Sequence, residues 1–151
     1  MLWVVAGVTG WIALFILKEE RSLWKSFLGG LIAVIFQLLV DINNIELNLY
    51  QFHNASFQLY DNISVFYTLG IVFSMGTLFT YHLPMGRWLK LVHIMVFSVL
   101  FYLLEVVLVR AGYFTLINWN MTGSLLINIF SLTSLAYLTE EFELRGRIKK
   151  W

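Results

Sequence analysis

The amino-acid sequence predicts an all-α integral membrane protein, a bundle of five transmembrane helices with the N-terminus outside and the C-terminus in the cytoplasm. Three observations carry this reading. The chain of 151 residues is 60% hydrophobic and 13% charged, with a mean hydropathy of +0.78. A soluble domain of that length has no interior large enough to hide so much apolar surface. The apolar residues gather in runs close to the length, about 20 residues, that a helix needs to cross the hydrocarbon. The lysines and arginines gather between those runs, nearly all on one side.

The first run, residues 2–17, has no positive residue ahead of it and is followed by KEERSLWK. A secretory signal has the reverse arrangement, so this run is expected to stay in the membrane with its N-terminus outside. Being short, it tilts little or thins the bilayer slightly. The second run, 26–42, follows Lys25 and closes on Asp41, and the third, 63–83, stops at Pro84. Proline cannot continue a helix. The fourth run, 91–112, contains Glu105 and Arg110, and the fifth, 119–138, begins at Trp119. Residues 1–138 thus form the membrane domain. Residues 139–151 read as a solvated cytoplasmic continuation of the last helix, with Glu141/Arg145 and Glu143/Arg147 at i,i+4 spacing. A sheet is excluded, because open strands leave backbone groups unpaired in lipid and no alternating barrel segments are present.

Orientation follows from charge. Lys18, Arg21 and Lys25 lie between the first two runs, Arg87 and Lys90 between the third and fourth, and Arg145, Arg147, Lys149 and Lys150 after the fifth. All share one side, which the positive-inside rule assigns to the cytoplasm; Arg110 alone falls outside. The outer loop 43–62 has no lysine or arginine. Its Tyr50, Phe52, Phe57 and Tyr60 read as an aromatic belt at the headgroups, or else as sides of a small hairpin within the loop. A faint echo links two runs: FQLLVD follows Lys25, and FYLLE follows Lys90, each starting eleven residues on. Chance resemblance and duplication both account for it.

Chemistry has few places to reside. Glu105 and Arg110 are five residues apart, about 140° around a helix, and do not share the i,i+4 face needed to pair. Depth is more informative. Counting about 1.5 Å per residue from the inner edges, Glu105 and Asp41 both rise about 21–22 Å, into the outer third of the hydrocarbon. Ser124 and Tyr67 fall at the same level, with Asn128 one turn deeper. A charged carboxylate facing lipid costs several kcal/mol, so Glu105 should turn inward and be partnered or protonated. Two readings follow for Asp41, Glu105, Tyr67, Ser124 and Asn128. They line a polar cavity, open to the outer side, that binds a proton, a cation or a small polar ligand. Alternatively, they clamp helices together by hydrogen bonds. Arg110, Trp119 and Tyr50 are expected at the outer interface, with Arg110 reaching the phosphates or pairing with Asp61 or Asp41.

Other chemistries find no support. The chain has no cysteine, which excludes disulfides and thiol catalysis. His53, His82 and His93 show no metal-ligand spacing, and no nucleotide or hydrolase motif occurs, so no metal and no cofactor is expected. No basic patch suits nucleic acid. Gly7/Gly10 and Gly29/Gly30 suit close helix approach. Asn54, Asn62 and Asn120 open Asn-x-Ser/Thr triplets, which are expected to go unused.

One resemblance emerges from single residues spread along the chain. Asp41 closes the second run, Tyr50-x-Phe52 lies in the outer loop, and Pro84 ends the third run. Glu105, Gly112-Tyr113-Phe114, Trp119 and Ser124 follow. From about residue 24 onward this resembles the small multi-pass membrane proteins of unknown function from Bacillus, Clostridium and other Bacillota. Here the outer loop lacks that family's prolines and arginine. The resemblance implies a Gram-positive plasma membrane and supplies no activity. Three classes of function compete: a non-enzymatic binding, sensing or assembly protein with a buried acidic site; a small proton- or cation-coupled transporter acting as a homo-oligomer; and a lipid-directed enzyme, which lacks any visible nucleophile–base pair. The partner common to all three is the lipid bilayer.

Overall fold

The apolar runs become helices, as their length and composition demand. A computed structural model describes residues 2–17, 23–53, 57–58 and 63–142. The elements are α1 (Leu2–Leu17), α2 (Leu23–Glu46), β1 (Tyr50–Phe52), a third helix in two parts, α4 (Arg87–Arg110), β2 (Phe114–Leu116) and α5 (Met121–Glu141). The third helix is π-helical over Phe66–Val72 and α-helical over Phe73–Tyr81, the latter part being α3. Three helices, Ser26–Glu46, Arg87–Arg110 and Met121–Glu141, are long and apolar enough to cross a membrane. Gly7–Ile16 and Phe66–Tyr81 are apolar but shorter.

The exterior is far more apolar than that of a water-soluble domain. On α4, Leu91, Val92, Met95, Val96, Val99, Leu100, Leu103 and Val107 are exposed. Buried positions include Asp41, Thr68, Ser74, Thr77, Thr80, Ser98, Ser124, Asn128 and Thr139. A contiguous apolar exterior over a partly polar interior is what lipid as solvent selects.

The third helix is the most enclosed. Small residues let its neighbours close in. A Cβ on Gly7 of α1 would sit 2.9 Å from the Phe66 carbonyl oxygen, and one on Gly30 of α2 would sit 2.8 Å from that of Phe73. The hydroxyls of Thr77 and Thr80 donate to the carbonyls of Phe73 (2.8 Å) and Gly76 (2.9 Å) one turn back, so these buried polar groups are satisfied within their own helix. Where α4 crosses the C-terminal part of α3, His93 Nε2 lies 3.0 Å from the Phe79 carbonyl, its ring packed between Phe79 and Phe97. Lys90 and Glu140 form an ion pair that ties α4 to α5 at that same end.

At the opposite end, α2 and α4 stop in the same way. Asn48 (φ 52°) and Gly112 (φ 73°) are left-handed. After α2, the Asn48 and Leu49 amides donate to Ile45 and Asn44; after α4, the Gly112 and Tyr113 amides donate to Val109 and Leu108. Both are Schellman caps, which suit Gly or Asn at the left-handed position. Each cap turns the chain into a strand, and β1 and β2 pair antiparallel with Phe52 opposite Phe114 and Tyr50 opposite Leu116.

This sheet corrects the expectation for the loop. Tyr50 and Phe52 are 4% and 3% exposed and face inward, and they do not form a belt. Alternation along β1 sends both to one face, while Gln51 points out. The strand's partner is in the α4–α5 connection, not within its own loop. Phe57 is exposed. The fifth helix runs past residue 138 to Glu141, and Thr139 is buried. Expectations placed on Lys18, Arg21, Asn54, Tyr60, Asp61, Asn62 and the tail pairs Glu141/Arg145 and Glu143/Arg147 lie wholly or partly outside the described residues.

Candidate functional site, a two-carboxylate cavity

The caps and the sheet determine what meets beneath them. Asp41 precedes Asn48 by seven residues, and Glu105 precedes Gly112 by seven. Each carboxylate therefore sits about two turns below a left-handed cap. Pairing β1 with β2 brings the two helix ends together, and the carboxylates with them. The resulting cavity is lined by Gln37, Asp41 and Asn44 of α2, Tyr67 of the π-helical segment, Glu105 of α4, and Ser124 and Asn128 of α5. It gives the centre of a water molecule about 30 Å³ to occupy, room for one or two waters.

Asp41 is 1% exposed. Its Oδ1 accepts from the Tyr50 hydroxyl at 2.5 Å and from Gln37 Nε2 at 2.9 Å. Burial, and then the Asp41 carboxylate beside it, hold the Tyr50 hydroxyl well above the usual tyrosine range, so it stays a donor. Asn44 Nδ2 approaches the same hydroxyl at 3.5 Å. Asp41 Oδ2 is buried and has no protein partner among the described residues. Glu105 repeats the pattern. Asn128 Nδ2 donates to its Oε1 at 3.1 Å, while Oε2 is buried without a protein partner among the described residues. The Ser124 hydroxyl also lies against the Glu105 carboxyl and accepts from Trp119 Nε1 at 2.9 Å. The two carboxyls line the same cavity.

The five residues singled out by depth, Asp41, Glu105, Tyr67, Ser124 and Asn128, all line this one cavity. The residues assigned to the outer interface divide. Arg110 is exposed in the last turn of α4, where the helix dipole favours a cation. Trp119 is half-buried and turns its indole N–H to Ser124. Tyr50 is buried and binds Asp41, so its interface role is overturned, because the strand pairing turns its ring inward. On the loop side the cavity is also lined by Tyr50, Phe52, Phe114 and Trp119. The Tyr50 and Phe114 ring centroids are 4.7 Å apart, and those of Phe52 and Phe114 are 5.1 Å apart.

Sequence reasoning missed Gln37 and Tyr50 as partners of Asp41, and Asn44 as the neighbour of the Tyr50 hydroxyl. Gln37 was detectable, since it lies at i,i+4 to Asp41. A second cavity, lined by Ala33, Phe36, Val72, Phe101, Ser131 and the shared Gln37 and Asn128, adjoins the first on its far side from the sheet. Among the described residues no group of three or more histidines and carboxylates is placed to hold a metal ion.

Comparison with known proteins finds no match: no protein-family model, curated protein or solved structure is similar to this chain.

Proposed function

We propose that this chain is a five-span plasma-membrane protein, N-terminus outside, whose work is done by a buried acidic binding site in the outer leaflet. The reading is non-enzymatic: a binding, sensing or assembly protein. The observation that carries it is the pair of orphan oxygens, Asp41 Oδ2 and Glu105 Oε2, in one cavity. A clamp uses its polar atoms on other helices. Here each carboxylate spends one oxygen on the protein and keeps the other, which is costly unless something meets it. The positive-inside distribution of lysine and arginine supports the orientation. The resemblance to small Bacillota membrane proteins supports a Gram-positive plasma membrane.

The test is Glu105→Gln in the purified full chain, with the thermal unfolding midpoint followed across pH. The site reading expects the variant to fold while the pH dependence of wild-type stability shrinks. A variant that is merely less stable, with that dependence intact, means that Glu105 is a clamp. The second cavity favours an alternative, proton- or cation-coupled transport by an oligomer, because it shares Gln37 and Asn128 and extends the hollow inward. Flux of protons or cations in reconstituted vesicles, lost in Glu105→Gln, separates transport from binding.

A further inference from the structure

We infer that the cavity is a binding site for one small monovalent cation of the alkali series, held between Asp41 Oδ2 and Glu105 Oε2. The inference rests on the acidic-site reading above and names its ligand.

The donor count leads there. The amide and indole donors around the carboxylates, and the Tyr50 hydroxyl, are committed to other atoms. The Tyr50 hydroxyl and the Gln37 amide go to Asp41 Oδ1, the Asn128 amide to Glu105 Oε1, and the Trp119 indole to Ser124. The two carboxylate oxygens left over are acceptors, Asp41 Oδ2 and Glu105 Oε2. Asp41 is almost wholly buried and aims an unpartnered oxygen into it. The ligand must therefore bring positive charge or donors of its own. Among the described residues, no lysine, arginine or histidine lines the cavity to neutralise the acids from within.

Size narrows the class. Room for one or two waters suits a bare alkali cation and excludes a substituted ammonium or an organic amine. Divalent ions fit badly. Magnesium keeps several waters and calcium takes six to eight oxygens, about, in a larger cage. Two carboxylates plus neutral oxygens from Asn128, Ser124 and Tyr67 make a smaller set. The titratable groups facing the site are Asp41 from α2, Tyr50 from β1, Tyr67 from the third helix and Glu105 from α4; α5 contributes only Ser124 and Asn128 among its polar side chains. Binding requires ionised carboxylates, so protons compete with the cation.

The experiment uses the full chain, purified in neutral detergent and exchanged into choline chloride. Thermal unfolding is followed as LiCl, NaCl or KCl replaces choline at constant ionic strength, at about pH 8 and about pH 5. One alkali cation is expected to stabilise saturably at the higher pH, and choline is not. A hundredfold excess over the dissociation constant multiplies the folded-to-unfolded ratio by about a hundred. The effect should weaken at the lower pH and fall at least tenfold in apparent affinity in Asp41→Asn and in Glu105→Gln. If either variant fails to fold, the wild-type titration alone decides. No saturable difference from choline at either pH overturns the inference, as does cation stabilisation that ignores pH. Stability that depends on pH but not on the cation leaves the acidic site standing as a proton site and overturns the cation. Independence from both removes the acidic-site reading as well.

Discussion

Asp41 shows how few atoms define the site. One carboxylate oxygen takes two donors, and the other takes none among the described residues. Tyr50 is the more telling donor, because it comes from a strand outside the helices and reaches the acid at 2.5 Å. Tyr50→Phe keeps the ring packing against Phe52 and Phe114 and removes only the hydroxyl. It leaves the buried Asp41 short of a donor and should cost about 1–3 kcal/mol of stability. Gln51→Ala, on the exposed face of the same strand, should stay within about 0.5 kcal/mol. Chemical or thermal unfolding of both variants checks this, and equal effects would show that the hydroxyl contributes nothing.

At the level of elements, one unit is used twice: a long helix, an acid, a left-handed cap seven residues later, and an inward aromatic two residues after that. Asp41, Asn48 and Tyr50 form the first copy; Glu105, Gly112 and Phe114 form the second. The helices were legible because lipid demands long apolar runs, and the acids stood out because few charges interrupt those runs. Depth along a helix was enough to group Asp41 with Glu105, Tyr67, Ser124 and Asn128, since parallel rise is insensitive to rotation. The sheet was not legible. Strands of three residues carry little periodicity, and the pairing joins two loops separated by two helices. Phase was lost too, because the π-helical turn over Phe66–Val72 departs from the 3.6-residue period on which facing arguments rest.

Among the described residues, polar side chains are buried within an apolar core while much of the exterior is apolar, and the two ends differ. Aromatic side chains and a two-stranded sheet lie at the end nearest the acids; the Lys90–Glu140 pair ties the other. The five-span reading puts the sheet end outside. The absence of cysteine makes that easy to check. A single cysteine at Gln51 should react with a membrane-impermeant maleimide on intact cells, and one at Met85, exposed in the turn after α3, only after permeabilisation. The opposite labelling would invert the topology and put the acids in the inner leaflet.

The central claim is that Asp41 and Glu105, on two helices whose caps lead into the paired strands, act as one site. A double-mutant cycle on unfolding free energy tests it most directly, with Asp41→Asn, Glu105→Gln and the two combined. A shared cavity predicts that the double variant departs from the sum of the singles by about 0.5–3 kcal/mol. Additivity within about 0.5 kcal/mol would mean two independent carboxyls, and the site described above would not exist.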